Sequence, residues 1–98
     1  MAVLDKIIHE RARLLILTHL ASDRRKANSF NELLQKLDFT SGNLSIQLKK
    51  LKEASYIDIR KTFRDNKPYT TVSITPAGMD ALNQYIEEME QIIRSMRQ

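Results

Sequence analysis

Apolar residues recur at helical spacing from the start of the chain. Leu4, Ile7, Ile8, Leu14, Leu15 and Leu20 share the pattern, interrupted once at Arg11. This predicts a helix over residues 3–21. Leu14-Leu15-Ile16-Leu17 is apolar almost all round, which predicts burial on more than one side. Residues 22–29 are polar and read as a loop. Ser29-Phe30-Asn31-Glu32 then has the spacing of a capping box and opens a short helix bearing Phe30, Leu33, Leu34 and Leu37. A tight turn at Asp38-Phe39-Thr40 leads to a third helix, capped by Thr40 or Ser41. Its apolar stripe is narrow: Leu44, Leu48 and Leu51.

Beyond Ala54-Ser55 the period changes from helical to alternating. Ile57, Ile59 and Phe63 fall on one face of a strand, Arg64-Asp65-Asn66-Lys67 forms a turn, and residues 68–74 form a second β-rich run. The result is a hairpin with a basic tip. Thr75 is the N-cap of a last helix and Pro76 its first residue. That helix runs to about Met96. Leu82, Tyr85, Ile86, Met89, Ile92, Ile93 and Met96 form one continuous stripe, with Glu87, Glu88 and Glu90 opposite.

The third helix carries the candidate chemistry. Its face away from the leucines holds Gly42, Ile46, Lys49 and Lys50, flanked by Asn43 and Ser45. A helix entering a DNA major groove needs this mixture. Small residues permit close approach, amides and ammonium groups reach base edges or phosphates, and an aliphatic side chain meets a thymine methyl. Asn43, Ser45, Ile46 and Lys49 are the candidates for base readout, with Ser41, Gln47 and Lys50 positioning the helix on the backbone. Arg60, Lys61, Arg64 and Lys67 on the hairpin are candidates for phosphate or minor-groove contacts. The plainer readings are a solvated amphipathic helix and a hairpin whose charges discourage edge pairing. Arg24, Arg25 and Lys26 read equally well as phosphate contacts or as a solvated loop.

Composition narrows the field. The chain has 98 residues, 42% hydrophobic and 29% charged, which suits a folded domain with one modest core. The net charge of +4 is unevenly spread. Residues 41–67 hold seven Lys/Arg against three Asp/Glu, whereas residues 68–98 hold two against four. The positive excess therefore sits on the third helix and the hairpin, where a nucleic-acid footprint belongs.

There is no cysteine, so disulfides, thiolate zinc sites and thiol redox chemistry are excluded. His9 and His19 are about 80° from facing the same way on a common helix, which gives metal binding no support. The chain has two glycines and no phosphate-cradling loop, and Ser45 and Ser73 have no evident base partner. An enzyme is not expected, nor is a cofactor. No apolar run reaches the ~18 residues of a membrane span. The start of the chain lacks the features of a secretory signal. Cytoplasmic residence is the expectation.

The order helix, helix, groove helix, hairpin, long helix is that of a winged helix-turn-helix: mainly α with a small β-hairpin wing, an α+β fold. The sequence resembles the small prokaryotic MarR-like and ArsR-like winged-helix regulators over nearly its whole length. Ser29-Phe30-Asn31-Glu32-Leu33, residues 42–54, and the run from Tyr56-Ile57 through Lys67-Pro68-Tyr69 into Ile74-Thr75-Pro76-Ala77-Gly78 carry the resemblance. Ser55 departs from it, standing where these regulators usually have glycine.

The resemblance implies a homodimeric transcriptional regulator binding double-stranded DNA. Residues 1–98 would form a single domain, with residues 76–98 as a C-terminal dimerisation helix. A helix of ~20 residues spans about 30 Å and outgrows so small a body. Its stripe is therefore expected to pair with its symmetry mate and the first helix. The expected interface is Leu4, Ile7, Ile8, Leu82, Tyr85, Ile86, Met89, Ile92, Ile93 and Met96. No polar constellation marks a small-molecule effector site. The alternative function is a winged-helix protein-interaction module without sequence-specific DNA binding, in which Ile46 meets a protein partner.

Overall fold

Two carboxylates set where the first helix begins. The computed structural model describes residues 4–23 and 26–97. Asp5 Oδ1 accepts the backbone N–H groups of Ile7 and Ile8 and closes a turn. Glu10 is the N-cap of α1 (Arg11–Ser22), its carboxylate accepting from the N–H groups of Ala12 and Arg13. The helix expected from residue 3 thus starts at Arg11. Side-chain acceptors at residues 5 and 10 offer the backbone an alternative to helical bonding. The segment before α1 still places Ile8 in the core, fully buried.

Asn28 and Ser29, expected in a loop, form a short strand β1 (Asn28–Ser29). The structure then runs α2 (Phe30–Leu37), α3 (Ser41–Glu53), β2 (Ile57–Arg64), β3 (Lys67–Ile74) and α4 (Pro76–Met96). The sheet is antiparallel in the order β1-β3-β2. Asn28 pairs with Val72, and Ser29 with Thr71. Both polar residues are buried and bonded: Asn28 Oδ1 lies 3.3 Å from His19 Nε2, and Ser29 caps α2.

The capping box of Ser29 and Glu32 is present in full. Thr40 rather than Ser41 caps α3, accepting from Asn43 N–H. Thr75 caps α4, accepting from Gly78 N–H, with Pro76 at the helix start. Helix α3 ends in a Schellman motif: Ser55 N–H donates to Lys52 O at 2.9 Å, and Tyr56 N–H to Leu51 O at 3.0 Å. Ser55 takes the left-handed conformation that this motif demands, at φ 65°.

The core lies between α1, α3, the inner face of the sheet and the first half of α4. Ile8, Ile16, Leu17, Leu20, Leu33, Leu44, Leu51 and Val72 are its fully buried members. The hairpin turn at Asp65 and Asn66 has both residues left-handed, the two-residue turn whose twist matches the strands it joins. Beyond Ile59 the hairpin leaves the body. Phe63 shares the face of Ile57 and Ile59 but is 79% exposed, because none of the described core residues lies beneath the sheet at that distance. Among the described residues no helix is long and apolar enough to cross a membrane.

Candidate nucleic-acid interface

Leucines 44, 48 and 51 clamp α3 onto the core and leave its other face open. Ser41, Gly42, Asn43, Ser45, Ile46, Lys49 and Lys50 are all exposed. Ile46 stands out, an aliphatic side chain 56% exposed on an otherwise polar surface. A β-carbon on Gly42 would meet nothing within 4 Å, so the packing of the chain itself gives no reason for a glycine there. Lys26 is also exposed, and its Nζ lies 4.0 Å from Glu32. Arg24 and Arg25 lie outside the described residues.

Gln47 is half-buried and held. Its Oε1 accepts from Arg13 Nη1 at 2.8 Å, and its Nε2 donates to Asn43 Oδ1 at 3.1 Å. Arg13 escapes a reading based on a helix from residue 3, which puts the polar break at Arg11. With α1 starting at Arg11, residues 13, 16, 17 and 20 share one face, and Arg13 is only 9% exposed among the core residues. Its Nε also donates to Ile7 O, and Nη1 lies 3.8 Å from Glu10 Oε2. The spacing of Ile16, Leu17 and Leu20 was the available signal.

The strand register divides the wing cations. Arg64 pairs with Lys67, and Arg60 with Thr71, so Arg60, Arg64 and Lys67 share one face of the hairpin. Lys61 lies on the opposite face, the one carrying Ile57, Ile59 and Phe63. It lines an apolar-floored cleft of about 440 Å³ between wing and α3, together with Ser45, Lys49 and Lys52. The expected wing set is therefore two groups. One faces away from α3 and the other faces into the cleft beside it. Arg64 stacks on Tyr69, its Cζ 5.1 Å from the ring centre, and Nη1 donates to the Tyr69 hydroxyl at 3.3 Å. These contacts restrain the guanidinium while using one of its five N–H donors.

The ion pairs among the described residues join Arg13 to Glu10, Lys26 to Glu32 and Arg94 to Glu90. None takes up a lysine of α3 or a cation of the wing. These charges are available to an external polyanion.

The stripe on α4 divides along its length. Leu82 and Tyr85 are buried in the core of this chain, as is Ile8. Leu4, Ile7 and Met89 pack against that core. Ile86, Ile93 and Met96 are exposed at 39%, 42% and 79%, and Ile92 is half-buried. The exposed part of the stripe is its distal half. His9 and His19 sit apart: His9 Nδ1 lies 2.8 Å from the Tyr85 hydroxyl, while His19 meets Asn28. The described residues contain no group of three or more side chains placed to hold a metal ion.

Comparison with known proteins gives consistent relatives. A transcriptional regulator homologue from Pyrococcus horikoshii superposes with a TM-score of 0.84 at 27% identity, over 92% of this chain and 87% of that one. MepR of Staphylococcus aureus, solved as a DNA complex, superposes with a TM-score of 0.75 at 13% identity, over 94% of this chain and 73% of that one. An uncharacterized protein of Methanocaldococcus jannaschii is 36% identical over 67 residues, covering 68% of this chain and 73% of the relative. Residues 12–93 match a winged helix DNA-binding domain family, one of DNA-binding proteins rather than enzymes. With α3, the wing and α4 arranged as described, the chain belongs to this winged helix DNA-binding domain family.

Proposed function

We propose that the protein is a sequence-specific DNA-binding regulator of transcription, acting in the cytoplasm as a homodimer of the MarR-like or ArsR-like kind. The observation that carries this is the outward face of α3. Gly42, Asn43, Ile46, Lys49 and Lys50 are exposed together beside a wing whose cations have no ion pair among the described residues. An isolated exposed isoleucine and an unpacked glycine make sense on a surface that closes onto another molecule. The lysines favour a polyanion as that molecule.

In this reading residues 41–54 enter the major groove. Asn43, Ser45, Ile46 and Lys49 face bases, and Ser41, Gln47 and Lys50 set the helix on the backbone. The wing at residues 60–68 lies on the backbone or in the adjacent minor groove. Two copies join through the distal stripe of α4, with residues 1–98 as one domain and residues 76–98 as its dimerisation helix. They read a pseudo-palindrome with half-sites about one helical turn apart. The MepR–DNA complex supports the reading, since a chain of this fold is in complex with DNA there.

The deciding experiment is binding to the DNA upstream of the protein's own gene, against random duplex of equal length, across a salt series. A preference that persists at ~150 mM salt is expected. Binding without preference that vanishes at that salt would overturn the reading and favour a protein-interaction module, with Ile46 as the contact.

A further inference from the structure

We infer that Asn43 reads a base as a hydrogen-bond donor, because Arg13 fixes through Gln47 which way round its amide sits. The inference rests on the reading of α3 as the groove helix. A guanidinium has donors only. The Gln47 atom 2.8 Å from Arg13 Nη1 must therefore be the carbonyl oxygen. The Gln47 NH2 group is thereby turned to the other side, where it lies 3.1 Å from the Asn43 amide. Facing a donor, Asn43 must present Oδ1. The polarity at Arg13 thus passes along two amides, and Asn43 is left with its NH2 group outward.

The start of the relay is secure. Arg13 is 9% exposed, and its Nε is occupied by Ile7 O on the same side chain. Asn43 itself is exposed, and its Nδ2 makes no hydrogen bond among the described residues. In the major groove the exocyclic acceptors are guanine O6 and thymine O4, while adenine and cytosine present amino groups. An outward NH2 bonds O6 or N7 of guanine and O4 of thymine, whereas on adenine it meets only the ring acceptor N7, beside an amino group that repels it, so it favours the keto bases. The two-bond reading of adenine that asparagine often makes needs Oδ1 as well, and here Oδ1 is turned back toward Gln47. Arg13 and Gln47 are positioning residues, and Asn43 carries the contact.

The test is selection of preferred duplexes from a random-sequence library by the wild-type protein and by variants. Asn43→Ala locates the contacted position, where the wild type should favour G or T by about fivefold or more. Gln47→Glu keeps an acceptor for Arg13 but offers Asn43 an acceptor instead of a donor. The amide turns over, and the preference at that position should swap to A or C. Arg13→Lys still donates and should leave it unchanged.

A merely structural role for Gln47 would weaken binding without swapping the base. Should Gln47→Glu fail to fold, Asn43→Asp, which accepts from Gln47 and presents an acceptor outward, should give the same swap. A G or T preference retained in the folded variant overturns the inference, as does an Asn43→Ala selection identical to the wild type. A wild type without any sequence preference overturns the DNA-reading function itself.

Discussion

A β-carbon on Gly78 would stand 2.2 Å from the carbonyl oxygen of Tyr56, and 2.9 Å from Ile74 Cγ1. The first turn of α4 lies directly on the backbone at the start of β2. That carbonyl also accepts the Thr75 N–H at 3.0 Å, so it cannot move away without breaking the helix entry. Gly78→Ala is expected to destabilise the fold by roughly 2–3 kcal/mol through overpacking. Thermal unfolding followed by circular dichroism should show a Tm at least about 8 °C lower. An unchanged Tm would mean that α4 can shift off the sheet freely.

Ser55 offers the opposite experiment. It occupies the left-handed position of the Schellman motif at φ 65°, where a side chain is strained and glycine is not. Ser55→Gly is expected to add about 0.5–1 kcal/mol, the relief of strain being partly offset by the greater freedom of glycine in the unfolded chain. A urea titration should shift its midpoint upward at constant slope. A lower midpoint would show that the side chain contributes more than its backbone costs.

Gly42 separates folding from binding. It lies in the first turn of α3 with open space around its missing side chain. Gly42→Ala should stabilise the helix by roughly 0.5–1 kcal/mol, while lowering affinity for duplex DNA if the backbone approaches the groove there. A gain in both would remove Gly42 from the contact surface.

The wing cations should act as two groups. Replacing Arg64 and Lys67 with alanine is expected to weaken preferred and random duplexes alike. It should also flatten the dependence of log K on log salt by about one unit per lost phosphate contact. Lys61→Ala, from the face beside α3, tests the other side of the hairpin in the same titration. A loss confined to the preferred sequence for Arg64 and Lys67 would place them on bases instead.

Tyr56 makes the fold sensitive to alkali. Its hydroxyl donates to the Asp5 carboxylate, and this bond, with burial and the nearby negative charge, pushes its pKa from 10.0 up to about 12. The fold favours the protonated phenol. This stabilisation is therefore complete below pH 10 and is lost as pH rises through about 12. Wild-type stability should fall across that window, and Tyr56→Phe should lack this component while being less stable at neutral pH. Parallel pH profiles for the two would detach Asp5 from Tyr56.

The legible parts of the sequence were those with local causes. Ser29 with Glu32, Thr40, and Thr75 with Pro76 mark helix starts because a side chain bonds a backbone N–H three residues on, wherever the rest of the chain lies. The outward position of Ile46 followed from helical geometry once Leu44, Leu48 and Leu51 were taken as buried. What escaped depends on distant partners. Asn28 and Ser29 have no strand pattern of their own and become a strand only because β3 has a free edge. Arg13 is a buried cation whose reason is Gln47 on another helix. The apolar spacing of residues 4–8 is real, but Asp5 and Glu10 divert it into a capped turn.

That capped turn bears on the order in which the molecule assembles. Its side-chain ties run from Asp5 to Tyr56 and from His9 to Tyr85, across 51 and 76 residues of chain. Contacts so far apart form only after the intervening helices and hairpin have drawn the chain together, since the entropy of closing the loop must be met first. The segment before α1 is therefore a late arrival in folding, a strap laid over the joint between sheet and last helix. In amide exchange it should open by a local route, ahead of α1 and the sheet, giving a protease its first hold on ordered chain.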